Sequence, residues 1–198
     1  MRNQKRILRN INSGIIIIGE GITENYYFSH MKNVFGYKCT IRPRFFCKTC
    51  VSQIEKQIKE VYESGVTILC VTDADVARRT PAEQQRLNAL KAEYKNKKNV
   101  IFCDSMPCIE YWFLLHYKDT CPTYDNSQQV VRDLKKFIKN YEKTKDFLEK
   151  EKWVKEMSKG ENTNIDKACA RAKKYKNSST SYSKIYLAIE ELNKTLWS

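Results

Sequence analysis

The chain has 198 residues, with 36 Lys+Arg against 23 Asp+Glu and a formal charge of +13. That length supports one sizeable core, or a core with a small appendage, and the charge favours polyanionic partners, nucleic acid ahead of an anionic membrane surface. No apolar run approaches the roughly 20 residues of a membrane span. The basic segment 1–12 leads into only four isoleucines before Glu20, which is no signal peptide, so a cytoplasmic, reduced protein with no membrane partner is expected.

In chain order, Ile15–Ile18 read as a buried β-branched strand. A helix starting near Thr23 follows, with Tyr27, Met31 and Val34 inward. Cys39–Phe46 is a second strand, made irregular by Pro43 and therefore suited to an edge. Ile54, Ile58, Val61 and Tyr62 recur at helical spacing up to Gly65. Val66–Val71 is a third strand, residues 80–96 a polar helix with Pro81 in its first turn, and Val100–Cys103 a fourth strand. Ile109–Tyr117 is a strongly apolar helix after Pro107. This β/α alternation predicts an α/β fold, a Rossmann-like parallel sheet of about four strands with helices on both faces.

From Ser127 to Met157 the pattern is helical. Val130, Val131, Leu134, Phe137, Ile138 and Tyr141 form one stripe, continued with or without a break by Phe147, Leu148, Trp153 and Met157. Asp166–Lys176 is a short basic helix, and Tyr182 to Leu196 mark a last amphipathic one that Ser179 and Thr180 are placed to cap, a phosphate contact being the competing reading of those two. Residues 1–120 and 121–198 are the expected units, the second a helical region packed on the first.

Among eight cysteines there is one CxxC, Cys47 to Cys50. It has no second pair, and His30 and His116 have no ligand spacing, so no zinc site is expected.

Three acidic segments follow the apolar strands. Gly19-Glu20-Gly21 follows the first, Thr72-Asp73-Ala74-Asp75 the third, and Glu110 lies just past the fourth. In open α/β sheets ligands bind at these carboxyl ends. Neighbouring strand ends lie about 5 Å apart, so Glu20 could join Asp73 and Asp75 around one hard cation, Mg²⁺ or Mn²⁺. The glycines beside Glu20 would let a phosphate backbone approach. A capping turn is the competing reading of Asp-x-Asp. Glu24 is either a further metal ligand or an early-turn carboxylate favoured by the helix dipole.

Gly19-Glu20-Gly21-Ile22-Thr23-Glu24-Asn25-Tyr26-Tyr27-Phe28 resembles the opening motif of RloB-like proteins. Val71-Thr72-Asp73-Ala74-Asp75 is similar to their DxD strand end, and Ser105 to Tyr117 to their segment with a Pro-x-x-Glu-x-Trp run. Asn177-Ser178-Ser179-Thr180 with Ile189-Glu190-Glu191-Leu192 resembles their C-terminal ending. The four segments occur in the family's order across nearly the whole chain. The resemblance implies a Toprim domain and a metal-dependent nuclease of prokaryotic restriction or anti-phage loci, acting on DNA or on RNA such as tRNA. It implies Glu20 as general acid/base, Asp73 and Asp75 as metal ligands, and Glu110 in support of the metal. Met106 departs from the family, which usually has Asn there. No tyrosine takes a topoisomerase-like place, so hydrolysis is expected rather than strand passage.

Arg42, Arg44, Lys48, Arg78, Arg79, Lys167, Arg171, Lys173 and Lys174 are candidates for a groove that holds a nucleic-acid backbone without sequence choice. His116, four residues after Trp112 on one helix face, reads as a core residue ahead of a base. The chain has no GxxxxGK[ST] loop, so an ATPase, if the function needs one, lies on a partner chain or another defence-system subunit. A homo-oligomer is also compatible. The alternatives to a nuclease are a non-catalytic nucleic-acid-binding or sensor subunit, and a nucleotidyl transferase.

Overall fold

Four aliphatic runs make one parallel sheet in the computed structural model, which describes residues 14–42, 50–74, 80–159 and 165–196. They are β1 (Ile15–Gly19), β2 (Cys39–Arg42), β3 (Thr67–Val71) and β4 (Val100–Phe102), in the order β2-β1-β3-β4. The central strands β1 and β3 carry the most continuous apolar sequence, as burial on both faces requires. Their side chains divide with period two. Ile16, Ile18, Ile68 and Cys70 face one apolar cluster with α2 (Val51–Tyr62) and α3 (Pro81–Glu93). Ile15, Ile17, Leu69 and Val71 face the larger one with α1 (Ile22–Phe35) and α4 (Ile109–Tyr117). The α/β reading therefore holds, and β2 lies at the edge that Pro43 suggested. Residues 43–46 of the expected strand fall outside the described residues.

The C-terminal half adds α5 (Ser127–Leu134), α6 (Lys145–Leu148), α7 (Lys152–Lys159), α8 (Ile165–Lys174) and α9 (Ile185–Lys194). Leu134, Tyr141, Trp153, Met157, Ala168 and Ile189 join Tyr27 and Trp112 in one apolar cluster. Arg171 Nη1 donates to the carbonyls of Leu115 (2.7 Å) and His116 (3.1 Å), satisfying the C-terminal end of α4.

Three readings of the C-terminal half change here. The stripe over 127–157 is not one helix: α5 ends at Leu134, and Asn140 takes a left-handed φ of 59°. The apolar spacing survives because Ile138, Tyr141 and Leu148 are buried by turns that fold back on the same core. Tyr182 is not in the last helix either. With Ser183 it forms β6, antiparallel to β5 (Ser105–Met106). Its hydroxyl donates to Asp104 Oδ2 at 2.7 Å. The last helix then starts after Lys184, and Ser183 Oγ accepts the Ile185 N–H. Ser179 and Thr180 lie too far upstream to cap it; Thr180 N–H instead donates to Ser178 Oγ.

No described helix is long and apolar enough to cross a membrane.

Candidate functional site

The chain leaving β1 stays tied to β3, because Glu20 N–H donates to the Val71 carbonyl at 3.1 Å. Glu20 Oε2 in turn accepts the Asp73 N–H at 3.0 Å. Asp73 Oδ1 accepts the Ile109 N–H at 2.7 Å, the first residue of α4, where unpaired amides and the helix dipole favour an anion. The sheet thus places Glu20 and Asp73 side by side at its carboxyl edge.

Glu24 enters from the first turn of α1 and is 4% exposed. A Cβ on Gly21 would stand 3.0 Å from Glu24 Oε2, and one on Gly19 only 2.8 Å from Asn25 Oδ1. The two glycines therefore make room for Glu24 and Asn25.

Glu110 comes from α4 and is fully buried. Tyr141 Oη donates to its Oε1 at 2.7 Å. Lys143 Nζ lies 2.8 Å from its Oε2, an ion pair that approaches off the hydrogen-bonding line. Both partners come from the turn between α5 and α6. Neither has a signal in the sequence: Lys143 is one of 36 cations, and Tyr141 reads as another member of an apolar stripe.

These carboxylates perturb one another. Burial pushes the Glu24 carboxyl up to about 7; its own backbone N–H opposes this, and Glu110 and Glu20 add to it. Burial, Glu24 and Glu110 hold Asp73 well above the usual carboxylate range. Lys143 opposes both shifts. Burial would lower the Lys143 pKa, but Glu110 beside it prevails and raises it. Around this group, Asn25 Oδ1 and Nδ2 and Thr72 Oγ1 are buried without a hydrogen-bond partner among the described residues.

In donor type this set fits a hard divalent cation: all its members are carboxylates, crowded enough to favour neutralisation, with polar atoms left unsatisfied beside them. Among the described residues no three His, Cys, Asp or Glu side chains already converge as a metal-holding group. Asp75 lies outside the described residues, as do Arg44, Lys48, Arg78, Arg79 and Cys47.

The remaining candidates separate from this centre. Arg42, paired in register with Ile18, sits at the same edge of the sheet and lies 3.8 Å from Glu60. Lys173 pairs with Glu190 at 2.6 Å and Lys174 with Asp119 at 2.9 Å. Asp119 follows the far end of α4, at least about 10 Å along the helix axis from Glu110. Arg171 serves the α4 carbonyls, so Arg171, Lys173 and Lys174 each have a partner other than the acids of the centre. His116 is a core residue: it is fully buried, its Nδ1 lies 3.2 Å from the Met157 carbonyl, and burial lowers its pKa to about 3.

No curated protein and no solved structure gives a significant match to this chain. The family described as RloB-like protein matches residues 15–192. That span runs from the first residue of β1 into α9 and contains every carboxylate of the centre, so the chain belongs to the RloB-like family.

Proposed function

We propose that this RloB-like protein is a Toprim nuclease, dependent on Mg²⁺ or Mn²⁺, that hydrolyses phosphodiester bonds in DNA or in RNA such as tRNA, in anti-phage defence. The observation that carries the reading is the gathering of Glu20, Glu24, Asp73 and Glu110 at one end of a parallel sheet, with the Glu24 and Asp73 carboxyls raised by burial and, beyond that, by their acidic neighbours. The charge of +13 supports a polyanionic substrate.

In this reading Asp73 and Glu24, with Asp75, would hold the cation, which when bound supplies positive charge against the phosphate oxygens. Glu20 is half-buried at the edge of the group, with the Asp73 N–H orienting it through Oε2. It accepts a proton from the attacking water at its carboxylate and returns one to the leaving oxygen. The Ile109 N–H fixes Asp73 through Oδ1. Tyr141 and Lys143 hold and orient Glu110, so Glu110 supports the site from beneath.

Incubation of the purified protein with plasmid DNA and with mixed cellular RNA, with and without Mg²⁺ or Mn²⁺, tests the reading. Metal-dependent cleavage is expected, and Asp73→Ala should lower the rate by at least about 100-fold. Equal cleavage by the variant would sink it.

One observation favours a second reading, a non-catalytic nucleic-acid-binding or sensor subunit. Lys143 already neutralises Glu110, so the acids could be a structural knot. That protein would bind nucleic acid in a salt-sensitive manner, without turnover, and Glu20→Gln would leave binding unchanged.

A further inference from the structure

We propose that the aromatic cleft between the end of α4 and the α5–α7 segment is a base-stacking platform that receives single-stranded nucleic acid and leads it toward the carboxylates. The cleft has a volume of about 390 Å³, within the roughly 300–1,000 Å³ of small-molecule sites. Phe137 is 43% exposed, although its neighbours Leu134 and Ile138 are buried. Its ring stacks on Tyr117 with centroids 5.0 Å apart and planes 16° apart. Phe147 and Trp153 extend the wall, 6.1 Å apart. An apolar ring left in water on a flat aromatic base is a surface on which a further ring can stack.

The rim decides what that ring belongs to. Lys139, Lys150 and Lys152 line the same cleft. Against them stands Glu156, which lies 3.6 Å from Lys152. An aromatic floor with a cationic rim suits a nucleobase with its phosphates, through stacking and charge together. The base must be unpaired, because in a duplex both of its faces are already covered by its neighbours.

The cleft is also joined to the acidic centre. Tyr141 packs its ring 5.3 Å from Phe147 and 6.1 Å from Trp153, while its hydroxyl donates to Glu110. Along α4, Tyr117 and Glu110 are about 10 Å apart, close to three stacked nucleotides at about 3.4 Å each. The role of the cleft as a substrate guide rests on the nuclease reading; the binding itself does not.

The test is fluorescence anisotropy of the full chain in EDTA, with labelled oligo-dT and oligo-U strands and a blunt DNA duplex of equal length. Phe137→Ala should weaken binding of the tighter single strand at least about fivefold, with duplex binding unmoved. Phe137→Trp keeps a stacking face and should hold single-strand Kd within about twofold of wild type. A smaller loss for Phe137→Ala, an equal loss on the duplex, or a loss in Phe137→Trp as large as in Phe137→Ala overturns the proposal. Because no cleavage occurs in EDTA, failure of the nuclease assay would leave this result standing, and an unaltered Kd would leave the nuclease reading standing.

Discussion

Glu24 carries a proton near neutral pH that the unfolded chain would have released. Its carboxyl titrates at about 7 when folded against an ordinary 4.5. Between those values the folded state binds the extra proton, so stability falls as pH rises through that window. The contribution is fully present below 4.5 and lost above about 7, a difference on the order of 3 kcal/mol. Urea unfolding in EDTA at a series of pH values from 4.5 to 8 should show that decline, and Glu24→Gln should make it shallower, leaving the part that the raised Asp73 carboxyl contributes. Residues such as Glu20 and Asp73 were legible in the sequence because a short acidic segment after an apolar run is itself a local pattern. Tyr141 and Lys143 were not, since their meaning depends on a turn that brings them to Glu110 from 31 and 33 residues further along the chain.

At the level of elements, the antiparallel pair of β5 and β6 is held by one buried acid that the sequence did not single out. Asp104, 1% exposed, lies 3.0 Å from both Lys91 Nζ and Lys184 Nζ and accepts the Tyr182 hydroxyl at 2.7 Å. Burial alone would raise its pKa, but Lys91, Lys184 and Tyr182 prevail and hold it below the usual carboxylate range. Asp104→Ala leaves those three donors without their acceptor and should cost about 2–4 kcal/mol in urea unfolding. Amide exchange at Lys184, whose N–H donates to the Asp104 carbonyl, should rise with it. The sheet strands and α4 were readable as continuous apolar runs. Strands of two residues have no period to read, so β5 and β6 were invisible, and Tyr182 passed for the start of a helix. The stripe from Val130 to Met157 misled for the opposite reason: helices and tight turns can bury residues at similar spacing.

For the molecule as a whole, the C-terminal helices share their apolar cluster with α1 and α4. A chain ended at residue 120 would uncover Tyr27, Trp112 and Phe113, all fully buried in the intact protein. Such a fragment should sediment as aggregate or show no cooperative melt by circular dichroism, whereas the intact chain should unfold in one main transition. The Glu110 contacts with Tyr141 and Lys143 then acquire a temporal meaning. Synthesis proceeds from the N-terminus at about 5–20 residues per second, so Lys143 is added about 2–7 s after Glu110. Throughout that interval the acids of the sheet edge exist without the cation that steadies them. The nascent chain therefore passes through a stage in which its most charged interior can close only when a later part of the message has been read.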